Sequence, residues 1–368
     1  MTGAIALPDG KDDEHEFTRY AFASGPVPNG APLPDTAASI SPGGESKPAK
    51  GMPVADVPVS DVPVSDGPIA NVRIADMPTL LNGRYRIERL LGIGGMGAVY
   101  RARDLLREQF GDPAPLVAIK TLTDDFAAYP DAYNLLHSEF VLTLRLNHPN
   151  VVRLHAFEVD NAAQRAYVVL ELLHGLTLDQ ALAEQQEGLP WQTARNLIMD
   201  LLAAIAYAHE RGVLHGDIKP SNIMLTPDGL RLFDFGLGQA KAGVLAGLPR
   251  ISRDRFTAWT PRYAALELLE GKALTEATDI YAVACVIYEL CTGRHPYRRL
   301  NAKQAKGMDL GAQLSPPVDM PDHCWQALRS ALAFDPNDRI GSAQELSKQF
   351  TVSAPNRLSI WWSRFRSA

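Results

Sequence analysis

Four polar residues in the middle of the chain have types and spacing suited to phosphate chemistry. In HGDIKPSN, residues 215–222, Asp217 is followed by Lys219 and then by Asn222. Twelve residues after Asn222 comes DFG, with Asp234 at its head. Magnesium favours carboxylate and amide oxygens arranged around phosphates, and Asp234 with Asn222 would supply them. Asp217 would accept or orient the proton of an incoming hydroxyl. Lys219 would add positive charge beside a transferring phosphoryl group. Upstream, VAIK sets Lys120 in an apolar stretch, and Glu139 follows within HSEF. An ammonium held by that glutamate would grip the α- and β-phosphates of ATP.

These groups need elements to hold them. RYRIERLL alternates charged and apolar residues as a half-buried strand does, and GAVYRAR and LVAIKTL read as two more. Between the first two strands GIGGMG spaces Gly92, Gly94 and Gly97. Glycines let a hairpin close over phosphates because no Cβ blocks the approach. Their place between two strands, not between a strand and a helix, argues against a dinucleotide-binding turn. Residues 131–146 suit a helix, and VVRLHAF and AYVVLELL suit strands. From Trp191 onward the apolar periodicity is mostly helical, over 191–211, 276–292 and 323–334. A strand-rich first part and a helix-rich second part predict two lobes with a cleft between them.

Residues 1–82 are different in kind. They contain 12 of the 27 prolines and 11 acids against five Lys and Arg, so they carry the whole net charge of −6. The remainder is balanced, which gives no electrostatic case for nucleic-acid binding. Over 54–78 a five-residue unit repeats as VADVP, VSDVP, VSDGP, IANVR and IADMP. Prolines at this spacing interrupt helix and sheet and predict an extended, disordered spacer. The sequence contains no run of 18 apolar residues and its first residues do not read as a secretory signal. Cys285, Cys291 and Cys324 lack metal-ligand spacing and read as free thiols in a reducing cytoplasm.

From about Asn82 to Leu346 the chain resembles the bacterial eukaryotic-type (Hanks-type) serine/threonine protein kinases. LNGRYRIERLLGIGGMGAVYRA looks like that group's opening, and TPRYAALE, TDIYAVACVIYELCTGRHPY and FDPNDRIGSAQEL carry the likeness downstream. The resemblance implies an α+β, two-lobed protein-kinase fold with a small β-rich lobe, one main helix in it, and a large helical lobe. The domains it implies are an acidic Pro-rich arm at 1–82, a kinase domain at 83–350 and a short amphipathic tail at 351–368. Within the domain the small lobe would cover about 83–171 and the large lobe about 174–350. Structure is expected to start near Asn82-Gly83. The implied cofactors are ATP and Mg2+ or Mn2+. Asp217, Lys219 and Lys120 would be catalytic, and Asn222 and Asp234 would hold metal. Gly92, Gly94, Gly97, Val99, Ala118, Lys120, Glu139, Glu171, Leu173, Asn222 and Asp234 would bind the nucleotide. Leu170 would stand at the gatekeeper position, with Glu171 to Leu173 as the hinge behind adenine. Asp279 would tether the catalytic-loop backbone, Thr260 would bridge Asp217 and Lys219, and Glu267 would pair with Arg339. Implied partners are protein substrates with Ser or Thr acceptors, a cognate Ser/Thr phosphatase and a forkhead-associated phosphothreonine reader.

The chain departs from the family pattern in places. Gly216 replaces the usual Arg, which contacts a phosphate on the activation loop. The expectation is an enzyme active without that phosphorylation; alternatively Arg250, Arg253 or Arg255 reads the phosphate. Leu266 stands for a usual Pro and Trp259 for a common Gly, which bears on target preference. The basic segment 237–259 would favour acidic substrates or be a solvated loop. The tail RLSIWWSRFRSA has the composition of a helix docked on its own lobe, or of one lying peripherally at the inner membrane. Two rival readings remain: a catalytically weak or inactive pseudokinase scaffold, and a small-molecule phosphotransferase resembling the aminoglycoside phosphotransferases, which often carry HGD. Against the first, Lys120, Asp217, Asn222 and Asp234 are all present; against the second, Lys219-Pro220 is the Ser/Thr-kinase form of the loop.

Overall fold

The structure, a computed structural model, describes residues 77–94, 97–129, 131–236, 238–241, 260–298 and 300–351. The repeats to residue 76, the segment 242–259 with its three arginines and Trp259, and the tail from 352 lie outside the described residues.

The alternating stretches form the small lobe. Its first elements are β1 (Leu80–Leu81), β2 (Tyr85–Ile93), β3 (Gly97–Asp104) and the short α1 (Leu105–Gln109). The Asp104 carboxylate caps α1 by accepting from the Leu106 and Arg107 amides. Next come β4 (Leu116–Leu122), α2 (Asp124–Ala127), α3 (Ala132–Leu144), β5 (Leu154–Asp160) and β6 (Arg165–Glu171). The strands form one antiparallel sheet in the order β1-β2-β3-β4-β6-β5. Its register sets Val99 opposite Lys120 and Ala118 opposite Leu170. Because side chains alternate along a strand, these four residues share one face of the sheet.

Two sequence expectations shift. The sheet begins at Leu80, ahead of the Asn82-Gly83 turn, because Leu81 is fully buried and pairs with Tyr85. The strand expected over 151–157 runs over 154–160 instead. Residues 150–152 spend their backbone groups on the large lobe: the Val152 amide donates to Leu232 O at 2.9 Å, and Asn150 O accepts from the Leu232 amide at 2.8 Å.

The large lobe opens with β7 (Leu176–Thr177), α4 (Leu178–Glu184), α5 (Trp191–Glu210) and β8 (Val213–Leu214). It continues through β9 (Ile223–Thr226), β10 (Gly229–Leu232), β11 (Gln239–Ala240), α6 (Leu266–Leu269) and α7 (Glu276–Thr292). The last helices are α8 (Ala302–Gly307), α9 (Asp322–Ala331) and α10 (Ala343–Phe350). Helix α5 buries Ala194, Leu197, Ile198, Leu201, Leu202 and Ile205, an apolar stripe at helical spacing. Helix α7 is buried without a break from Thr278 to Ile287, as expected of a helix that is apolar all round. It forms the centre of the large core, and Gly293, at φ 69°, ends it in the left-handed conformation.

A buried ion pair fastens α6 to the far end of the lobe. Arg339 Nη1 and Nη2 donate to the two Glu267 carboxylate oxygens at 2.5 and 2.8 Å. The remaining guanidinium hydrogens reach the carbonyls of Ala277, Ala333 and Phe334.

One buried histidine gives the fold an acid limit. His295 lies edge-on to Tyr263, with ring centroids 5.0 Å apart. Burial, and then the Arg262 guanidinium, pull its pKa down to about 3. An unfolded chain takes up that proton near pH 6.5, so acid favours unfolding by up to about 1.4 kcal/mol per unit as pH falls below it. We expect the urea midpoint to decline from pH 6.5 towards pH 3, and His295→Gln to decline less steeply over the same window.

Candidate active site

Strand β4 carries Lys120 into the interior, where burial would favour loss of its proton. Two carboxylates reverse that. Lys120 Nζ donates to Glu139 Oε1 and Oε2 at 2.5 and 2.7 Å and to Asp234 Oδ1 at 2.7 Å. Burial lowers the Lys120 pKa, but Asp234 and Glu139 together raise it above the ordinary lysine value. Burial would likewise raise Asp234, and Lys120 instead holds it below the usual carboxylate range. Glu139, on α3, is raised by burial despite the lysine. The result is one cation shared by a strand, a helix and the loop that follows β10.

The loop between β8 and β9 is held from below and from the side. Asp279, on α7, accepts the His215 amide on Oδ2 and the Gly216 amide on Oδ1, both at 2.9 Å. His209 Nε2 donates to the same Oδ2 at 2.9 Å. Burial would raise Asp279; the His209 hydrogen bond and charge, then His215 and the Gly216 amide, bring it below its ordinary value. His215 is fully buried and depressed by that burial, so its ring is neutral at pH 7. Its Nε2 donates to Phe233 O at 3.2 Å, which leaves Nδ1 to accept the Asp217 amide at 3.3 Å. The His215 ring lies 4.5 Å from that of Phe235, itself fully buried.

Gly216 sits at φ 81°, a conformation in which a side chain is strained. Glycine therefore does two things here: it relaxes the turn, and it removes the side chain that the resemblance places there. Beside it, Asp217 Oδ2 pairs with Lys219 Nζ at 2.8 Å. Lys219 also donates to Thr260 Oγ1 at 3.0 Å, and the Thr260 amide donates to Asp217 Oδ1 at 3.2 Å. Thr260 thus bridges the aspartate and the lysine.

The residues present fit a nucleotide with a divalent cation. Asn222 Nδ2 donates to the Asp217 carbonyl at 2.9 Å, which fixes the amide's orientation. Its Oδ1 is then left buried with no hydrogen-bond partner in the protein. A buried acceptor without a donor costs about 1–3 kcal/mol, and a hard cation would remove that cost. Asp234, at φ 65°, supplies a second oxygen donor close to it in the chain. Val99, Ala118, Leu170 and Leu173 belong to one apolar cluster of the small lobe, as a planar base would require. The cluster also takes in Met224 and Phe233 from the large lobe. Met224 was not singled out by sequence, although an apolar residue two places after Asn222 was a readable signal. The hinge is tied by Glu171, whose amide donates to Arg153 O at 3.0 Å while its Oε1 accepts the Arg153 amide at 2.8 Å. At the glycine turn, the Gly94 amide donates to Gly97 O at 2.8 Å. Gly92 lies within β2. A Cβ on Gly97 would lie 2.7 Å from Thr121 O, so β3 and β4 approach there only because Gly97 has none.

Residues 85–351 match the family model described as protein kinase domain. The chain belongs to the protein kinase family. Serine/threonine-protein kinase PkaA of Streptomyces coelicolor is 33% identical over 74% of this chain and 50% of its own. Serine/threonine-protein kinase PknA of Mycobacterium tuberculosis is 29% identical over 71% of this chain and 59% of its own. Both relatives are named as bacterial serine/threonine-protein kinases. The crystal structure of the Mycobacterium tuberculosis PknI kinase domain is similar with a TM-score of 0.54 at 25% identity, covering 74% of this chain and 98% of that one. The chain spans 50% and 59% of the two curated relatives named. Among the described residues, no helix of this kinase domain is long and apolar enough to cross a membrane.

Proposed function

We propose that the chain is a serine/threonine protein kinase that moves the γ-phosphoryl group of MgATP to Ser and Thr hydroxyls of proteins, itself included. One observation carries this reading: a single buried ammonium, Lys120, bonded at once to Glu139 and Asp234. That contact joins β4 and α3 of the small lobe to the DFG loop of the large one. Asp217 orients the acceptor hydroxyl and takes its proton, and Lys219 supports charge on the transferred group. Lys120 with Glu139 grips the nucleotide phosphates under the Gly92, Gly94 and Gly97 turn. Val99, Ala118, Glu171 and Leu173 hold the base. Asn222 and Asp234 would hold Mg2+ or Mn2+, which neutralises phosphate charge when bound. Most of the rate comes from positioning and electrostatics. The domain limits proposed are an arm at 1–82, the kinase domain at 83–350 and a tail at 351–368. A cognate phosphatase and a phosphothreonine reader are the partners this reading implies.

The same reading includes competence without activation-segment phosphorylation. Gly216 offers no side chain to a phosphate, and Thr260 is already seated between Asp217 and Lys219. The test is label transfer from radioactive ATP by the purified full chain to itself and to a generic protein acceptor, before and after phosphatase. Transfer undiminished by phosphatase is expected. Transfer lost only after phosphatase would reject the second half of the reading, and no transfer despite MgATP binding would reject the first.

A further inference from the structure

Five residues past the DFG glycine, Lys241 is the last described residue before the segment 242–259. Its backbone extends the short β8–β11 pairing. Gln239 and Ala240 face Leu214 and Val213, and the Lys241 amide donates to Gly212 O at 2.8 Å. Its side chain turns to two other elements. Lys241 Nζ donates to the His209 carbonyl in the last turn of α5 at 2.6 Å, and it is paired with Glu276, the first residue of α7. Each placement suits the charge: a cation at a helix C-terminus and a carboxylate at a helix N-terminus are both favoured by the backbone dipoles.

The contact continues to the catalytic loop. Glu276 Oε2 stands 3.9 Å from His209 Nδ1, and His209 Nε2 donates to Asp279. Asp279 in turn holds the amides of His215 and Gly216, immediately before Asp217. The line from Lys241 to Asp217 passes through Glu276, His209 and Asp279. An ion pair whose side chains are 34% and 32% exposed contributes little to overall stability. Its leverage is positional, because Nζ ties the strand end after β11 to α5 and α7 at the last described residue before the segment 242–259.

We infer that Lys241 is a positioning residue, a built-in cation that pins the start of the activation segment to α5 and α7 and so takes over the link that Gly216 cannot make. This rests on the proposed kinase reading and assigns the regulation of that same site.

The test uses the full chain, phosphatase-treated, as wild type, Lys241→Met, Lys241→Arg and Glu276→Gln. Label transfer, MgATP affinity, Tm and hydrogen exchange at the Lys241 amide are measured on each. Lys241→Met is expected to lower kcat about 10-fold, the worth of one charge-assisted hydrogen bond, with MgATP affinity and Tm kept. The Lys241 amide should exchange faster in Lys241→Met and in Glu276→Gln, and Lys241→Arg should restore most of both properties. Wild-type kcat and unchanged exchange in Lys241→Met would overturn the assignment. So would a fall in kcat matched by falls in Tm and MgATP affinity, which would make Lys241 a general stabiliser. If no variant transfers label, wild type included, the kinase reading has failed; amide exchange then decides alone whether Lys241 pins the segment.

Discussion

Asp217→Asn is expected to lower kcat for phosphoryl transfer by about 10²- to 10⁴-fold, the range for loss of a positioned general base. MgATP affinity is retained, because the nucleotide's proposed contacts are made by other groups. The Asn side chain still offers an oxygen to the Thr260 amide, which Asp217 Oδ1 accepts at 3.2 Å, but its NH2 replaces the oxygen that pairs with Lys219, and the acceptor hydroxyl loses its base. Lys120→Met serves as the contrast. It removes the cation shared by Glu139 and Asp234, and the expected signature includes a raised KM for MgATP as well as a lowered kcat. Steady-state kinetics with varied MgATP, beside direct nucleotide binding, separates the two. An Asp217→Asn protein that transfers label at the wild-type rate would remove Asp217 from the role proposed for it.

Glu267→Gln destabilises the fold by about 3–5 kcal/mol, the usual cost of leaving one partner of a buried ion pair without the other. For a domain of this size the Tm falls by roughly 10 °C. The magnitude follows from the geometry. Arg339 is fully buried at its side chain and Glu267 is 6% exposed there, so water cannot replace the lost carboxylate charge. The guanidinium would keep its carbonyl partners and lose its only bidentate one. Replacing both residues, as in Glu267→Leu with Arg339→Met, should recover part of the loss, since no uncompensated charge then remains buried. Thermal unfolding of the three variants tests this, and a Tm within 2–3 °C of wild type for Glu267→Gln, about 1 kcal/mol or less, would show that the pair contributes little.

Much of this was legible in the chain. The long helices α5 and α7 coincide with the stretches that periodicity marks, because apolar faces must be buried somewhere. Strand β2 follows from its alternation, and β3, β4 and β6 from short apolar, β-branched runs, of which β4 and β6 are buried nearly throughout. The β5 strand did not, since Val151 and Val152 look like strand residues and their backbone groups are taken by the large lobe. Met224 has a readable position, two places after Asn222, but only packing shows that it joins the apolar cluster of the small lobe. Lys241 and Glu276 were passed over for a related reason: a lone lysine and a helix-starting glutamate are ordinary surface residues until packing sets them side by side.

The sequence by itself determined the chemistry on offer. Residue type decides which groups can hold a cation, a phosphate or a proton, and Lys120, Glu139, Asp217, Lys219, Asn222 and Asp234 are present in the order a kinase uses. It also determined the absence of a side chain at position 216. Only the tertiary structure decided which of these groups meet. Lys120 and Asp234 are 114 residues apart in the chain, and no local propensity acts over that distance. They meet because two apolar cores, one in each lobe, bury their faces and leave β4, α3 and the DFG turn against each other. The same packing put Lys241 at the C-terminal end of α5, where a cation is favoured, and against the carboxylate of Glu276 at the start of α7.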